Sequence, residues 1–202
     1  MHLRALRAVA AGLLLARAHA FSSSGAADDG GSRRSGDSSR RAGVLAAIGN
    51  TPLLELRTLS AATGCRILAK AEHLNAGGSV KDRAALYLVA LAERAGALRP
   101  GGTVVEGTAG NTGIGLAHVC NSRGYRLVIF MPDTQSQENV DLLRMLGADV
   151  RPVPAVPITD PRHYTFQARE HALALGAGSV WTNQFVNVHK RTAHLATTGQ
   201  EI

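Results

Sequence analysis

From Val44 onward the apolar and polar positions switch repeatedly between two periods: short β-rich runs are separated by stretches with helical spacing. That order is expected of a parallel sheet covered by helices, an α/β fold. Residues 67–71 read as a strand. Ser79 then opens a helix with Asp82 three positions on, a capping-box-like S-x-x-D. Val80, Ala84, Leu88, Leu91 and Ala95 recur at helical spacing, and Gly96 supplies a stop. Residues 103–106 form the next predicted strand, which feeds a glycine-rich turn at 107–115. A helix over 114–123 is closed by Gly124, and a strand over 127–131 is broken by Pro132. Thr134 or Ser136 caps a helix through Leu146, and Gly147 ends it ahead of a strand at 149–153. A proline-rich loop, a helix near 164–175 and a last strand near 179–182 complete the pattern, with no internal repeat.

Ahead of this alternation lies a segment of different character. Arg4 and Arg7 precede the apolar stretch 9–15, which is too short for a bilayer span of about 20 residues. Arg- and Ser-rich, acid-poor composition points to an organellar address, mitochondrial in the first place. Ala18-His19-Ala20 also fits the cleavage site of a secretory signal, and a plastid address that begins with a signal peptide would combine both features. Residues 22–43 lack apolar periodicity and read as a disordered linker. The expected division is therefore a targeting peptide with linker over 1–43 and a folded domain over 44–202.

Composition supports one sizeable core, with 45% apolar and 18% charged residues in a chain of 202. The net charge of +7 overstates basicity, because residues 1–43 hold seven Arg against three Asp. No Lys/Arg run interleaved with aromatics follows, so a nucleic-acid partner is not expected. Cys65 and Cys120 lack any CxxC or Cys/His spacing and read as buried thiols. No H-x-x-x-H pair occurs, so no metal site is expected.

Two segments carry candidate chemistry. N-A-G-G-S-V-K-D-R at 75–83 sets Lys81 near a helix start behind a flexible glycine pair. A lysine is a nucleophile only with a free amine, and the positive end of a helix disfavours an ammonium, a setting that suits an imine. Taken alone, the segment fits an ordinary solvated lysine in a K-D-R surface cluster better than a nucleophile. E-G-T-A-G-N-T-G-I-G-L at 106–116 runs from strand through loop to helix, so consecutive backbone N–H groups there form an anion-binding nest. Thr108, Asn111 and Thr112 add side-chain donors. The alternative is a tight strand-to-helix turn that needs glycine. The dinucleotide order G-x-G-x-x-G is absent, as is G-x-x-x-x-G-K-[ST], which ranks a nicotinamide dehydrogenase last.

Together with I-G-N-T-P-L at 48–53, T-A-G-N-T-G at 108–113, Met131-Pro132 and Asn183-Gln184-Phe185, these blocks resemble the ordered signatures of the cysteine synthase and cystathionine β-synthase family, over residues 44–202. The resemblance implies a tryptophan synthase β-like pyridoxal-phosphate fold, with Lys81 bonded to pyridoxal phosphate and acting as base. It implies Asn111 as a contact to the cofactor's ring hydroxyl. Thr108, Ala109, Asn111 and Thr112 would grip the substrate α-carboxylate, with Gln184 as a second contact. The implied reaction is β-replacement, which forms cysteine from O-acetylserine and sulfide in a homodimer. Ala109 stands where many relatives carry serine, which leaves serine or another β-substituted alanine open as substrate. The family continues past the equivalent of Ile202 into a second domain that supplies the phosphate cradle and the residue facing the pyridine nitrogen. The sequence is therefore expected to be truncated before most of that domain, and a catalytically inactive or regulatory form of the fold is the alternative.

Overall fold

The computed structural model describes residues 43–188 and 190–202, leaving aside the side chain of Lys190. The targeting segment and linker expected over 1–43 lie outside the described residues, Gly43 apart. Four strands, β3 (Thr103–Gly107), β4 (Arg126–Pro132), β5 (Asp149–Val153) and β6 (Val180–Trp181), form a parallel sheet in the order β5-β4-β3-β6. All of β3 is buried, and so is β4 between its end residues, as strands covered on both faces must be.

Alternation along these strands splits the interior in two. Val104, Leu127, Ile129, Met131 and Val150 face one core, with Ala85 and Val89 of α2 (Lys81–Arg94), Leu116 and Val119 of α3 (Asn111–Arg123), and Val140 and Leu143 of α4 (Gln137–Met145). Val105, Val128 and Phe130 face the other, with Ala168 and Ala172 of α5 (Tyr164–Leu175). Helix α3 begins three residues earlier than its pattern suggests, after Gly110, and takes in two glycines. Gly115 lies where a Cβ would meet Asp82 Oδ1 at 3.0 Å and Ala85 Cβ at 3.1 Å, so it lets α2 and α3 approach closely. Ser136, of the two candidate caps, is the one used: its hydroxyl accepts from Asn139 N–H at 3.4 Å.

Residues Leu68–Lys70 (β2) do form a strand, but outside the parallel sheet. They pair antiparallel with β1 (Leu53–Glu55), Leu53 opposite Lys70, because the short helix α1 (Arg57–Thr63) and the left-handed Gly64 reverse the chain onto itself. Two further short helices, α6 (Lys190–Ala196) and α7 (Thr198–Glu201), follow the last strand. Cys65, expected to be buried, is exposed in the turn after α1. Cys120 is buried, which pushes its thiol up to about 12. Among the described residues no helix is long and apolar enough to cross a membrane, and no cluster of three or more His, Cys, Asp or Glu could hold a metal ion.

Candidate active site

The strand order turns back at β3: β4 lies on one side of it and β6, far later in the chain, on the other. In open parallel sheets ligands bind outside the carboxyl ends of the strands at such a reversal. Here those ends carry the loop from Gly107 into α3 and the segment Thr182, Asn183, Gln184.

Side chains join the two segments. The Thr112 hydroxyl, at the second position of α3, donates to Gln184 Oε1 at 2.5 Å, and Gln184 Nε2 donates to the Gly107 carbonyl at 3.4 Å. Beneath them Glu106 is fully buried. Its carboxylate accepts from Gly107 N–H at 2.8 Å, from Gln184 N–H at 3.0 Å and from the Thr182 hydroxyl. Burial pushes this carboxyl above the ordinary range, and those three donors oppose the shift.

The lysine loop is built as tightly. Asn75 is buried; its Oδ1 accepts from Gly49 N–H at 2.8 Å, and its amide donates to the Ser79 carbonyl at 3.1 Å and to Glu72. Asp82 reaches back from α2 to accept from Gly77 N–H at 2.6 Å, where any Cβ at Gly77 would sit 2.6 Å from Asp82 Oδ1. The Ser79 hydroxyl accepts from Lys81 N–H at 3.1 Å, but the helix begins at Lys81 with Val80 as its N-cap and no side-chain cap bond, so the S-x-x-D pair braces the loop ahead of the helix instead of forming the expected capping box. Burial raises the Asp82 carboxyl, with the Gly77 bond opposing.

With Asp82 and Arg83 turned inward, Lys81 is left exposed, and it makes no ion pair among the described residues. It opens on a cleft of about 350 Å³ lined by Val80, Lys81, Ala84, Thr112, Gln184, Arg191 and His194. No carboxylate is in that lining. A second hollow, of about 370 Å³, is lined by five consecutive residues from Glu55 to Leu59 and gathers nothing from separate elements.

Three of the six residues singled out from sequence, Lys81, Thr112 and Gln184, thus share one cleft. Thr108, Ala109 and Asn111 lie on the adjoining loop. Thr108 is buried with its N–H bound to the Phe130 carbonyl at 2.9 Å, while Asn111 is exposed at the first position of α3. The first N–H groups of a helix lack intrahelical acceptors, and this helix start lies at the exposed Asn111. Arg191 and His194 of α6 also line the cleft; no motif marks them in the sequence. Glu106 stood at the head of the glycine segment with no role, although a charge in an all-buried strand was the available signal.

The family model described as pyridoxal-phosphate dependent enzyme matches residues 44–202. The chain belongs to this family of pyridoxal-phosphate-dependent enzymes. Within it, the chain is 66% identical to cysteine synthase 1 of Neurospora crassa over 160 residues, which is 79% of this chain and 42% of that protein. It is 65% identical to cysteine synthase 1 of Emericella nidulans, covering 79% and 43%, and 40% identical to cystathionine beta-synthase of Rattus norvegicus, covering 79% and 29%. The chain spans less than half the length of these curated relatives. Among solved structures, O-ureido-L-serine synthase superposes with a TM-score of 0.71 at 39% identity, covering 78% of this chain and 48% of that one. A hydrogen sulfide-producing enzyme of Fusobacterium nucleatum gives 0.71 at 34%, covering 81% and 52%. The expected fold, a parallel sheet flanked by helices, is therefore that of the family.

The residues present suit the cofactor. An exposed lysine amine on a cleft of small-molecule size, next to a helix start and a Thr–Gln pair, would serve as a covalent anchor beside polar groups suited to an anion.

Proposed function

We propose that this chain contributes the lysine and carboxylate-binding part of a β-replacement enzyme that makes cysteine from O-acetylserine and sulfide. The observation that carries the reading is the convergence of Lys81, Thr112 and Gln184 on one cleft free of carboxylates. Pyridoxal phosphate, when bound, supplies a sink for the electron pair left at the substrate Cα. Lys81 would hold the cofactor through its amine, and that amine, when free, would take the proton from Cα and return it after sulfide has added. Asn111 would stand toward the cofactor ring hydroxyl. The loop Thr108, Ala109, Asn111 and Thr112, with Gln184, binds the substrate α-carboxylate and orients Cα toward Lys81. Sulfide takes the place of the departing acetate at the β-carbon.

Ala109 removes one hydroxyl from the carboxylate loop, and O-ureido-L-serine synthase is among the structural neighbours. The missing hydroxyl favours a second reading in which another β-substituted alanine, or serine, is the substrate, while the neighbour, named for its product, bears only on which nucleophile adds at the β-carbon. The Arg- and Ser-rich leader supports delivery to the mitochondrion, and the family resemblance supports a homodimer.

The test is to reconstitute the protein, extended to its full reading frame, with pyridoxal phosphate. A visible cofactor band and a borohydride-trapped adduct on Lys81 are expected, both lost in Lys81→Ala. Absence of band and adduct from the wild type would sink the enzyme reading. Competition between O-acetylserine, O-ureidoserine and serine as co-substrates with sulfide separates the two substrate readings.

A further inference from the structure

We infer that Glu106 is a positioning residue for the substrate carboxylate site, acting through Gln184. The inference rests on the proposed role of Thr112 and Gln184 in carboxylate binding. Glu106 sits in a strand buried from end to end, where an apolar side chain is the ordinary occupant. A carboxylate survives there only where donors converge on it. Three bond it directly, the Gly107 and Gln184 N–H groups and the Thr182 hydroxyl, and the Trp181 indole N–H adds to them in favouring its charge. None is a cation. Two of them lie 76 and 78 residues beyond Glu106, on the segment that leaves the adjacent strand.

The sheet alone does not hold that segment in place. β3 and β6 pair only at Val104↔Val180 and Val105↔Trp181, extended by Thr182 N–H to the Val105 carbonyl at 3.2 Å. The chain then turns at Asn183, whose φ of 51° is left-handed, a conformation Asn tolerates better than most residues. Immediately after that turn, Gln184 N–H is bound by Glu106 at 3.0 Å. The carboxylate takes over where the ladder ends. With its backbone held, Gln184 reaches both Thr112 Oγ1 at 2.5 Å and the Gly107 carbonyl at 3.4 Å. Glu106 itself touches no ligand; it sets where the Thr112 and Gln184 pair stands.

The experiment uses the full-length, cofactor-loaded protein and L-alanine, which has the α-carboxylate but no leaving group. Its dissociation constant is read from the change in the cofactor's visible band. Gln184→Ala is expected to weaken binding about tenfold, the effect of losing one hydrogen bond to a charged group. Glu106→Gln, which turns an amide N–H toward the converging donors, is expected to weaken it by a similar factor with the unliganded band and the borohydride adduct on Lys81 unchanged. The double variant is expected to bind no worse than Gln184→Ala alone, because both changes act through one contact. Multiplying effects in the double variant would overturn the inference, because Glu106 would then act independently of Gln184. An unchanged constant in Glu106→Gln beside a tenfold loss in Gln184→Ala would overturn it while leaving the carboxylate reading intact. An unchanged constant in Gln184→Ala removes both. Should Glu106→Gln not fold, Thr182→Val deletes one of the three donors at similar volume. It is expected to weaken binding about threefold, again without adding to Gln184→Ala, and no change there overturns the inference.

Discussion

Lys81 owes its exposure to the two residues after it. Asp82 is drawn down to Gly77 N–H and Arg83 is drawn across to Glu72 and Glu201, so the helix start presents the lysine alone to the cleft. The glycine at 77 is therefore a matter of space. Gly77→Ala brings a methyl group to 2.6 Å from Asp82 Oδ1 and must displace the loop or the carboxylate. We expect a loss of about 1–3 kcal/mol in urea unfolding, as for other overpacked sites. We also expect slower accumulation of the borohydride-trapped Lys81 adduct; an unaltered rate would show that the loop does not set the lysine. Lys81 and the glycine segment were legible only jointly, through the ordered blocks that resemble the family; alone, the lysine fits a solvated surface residue and the glycines a tight turn. Glu106, Arg191 and His194 were not. The importance of Glu106 lies in donors that arrive from residues 182 and 184, and the other two reach the cleft only through the placement of α6.

The elements around the site are pinned by ions more than by area. Arg83 forks onto both carboxylates, meeting Glu72 at 2.7 and 2.9 Å and Glu201 at 2.6 and 2.7 Å, and Lys70 adds a 2.5 Å contact to Glu201. This cluster joins α2, β2, the turn at Glu72–Leu74 and α7, with the Arg83 side chain 2% exposed. Arg83→Met leaves Glu72 without a cation and Glu201 with Lys70 alone, and removing one partner of a buried ion pair costs about 3 kcal/mol. Adding Glu201→Gln should recover part of that loss in urea melts. Burial pushes the Glu72 carboxyl up, but Arg83, Thr51 and Asn75 outweigh it and hold the group at about 2; Arg83 chiefly holds Glu201 below the usual range as well. Depressed acids stabilise fully above their ordinary value of 4.5, and that stability is lost as pH falls toward about 2. Asp82 and Glu106, pushed up by burial, act with the opposite sign, because acidification relieves the cost of their charge. The difference between wild type and Glu201→Gln isolates the network: the variant should lose stability less steeply between pH 4.5 and about 2. Equal slopes would mean that the cluster does not contribute to acid stability. The pairs that build it span 11 to 131 residues, so nothing in the local pattern announces them. For the same reason β1, α1, α6 and α7 went unread: each has only three to seven residues, too few to establish a period.

On the scale of the whole molecule, the parallel sheet was legible because buried strands are near-continuous apolar runs punctuated by Gly and Pro, and the order reversal at β3 then places the site at the strand ends. The stretch of chain that follows the last strand carries exposed apolar side chains. Phe185, Val186, Val188, Leu195 and Ile202 are between 61% and 76% exposed, all within the last 18 residues and around the helix that carries Arg191 and His194. Large apolar side chains exposed this densely over one stretch of chain favour association. A polypeptide ending at Ile202 is therefore expected to self-associate, with light scattering that rises with concentration and binding of a hydrophobic dye. Phe185→Lys with Leu195→Lys should lower both signals and leave the far-ultraviolet circular dichroism unchanged, because neither side chain belongs to the two cores. If the doubly charged variant scatters as much as the wild type, the association comes from another surface. In that case the exposed side chains of β1 and β2, Leu54 and Leu68, are the next to be charged.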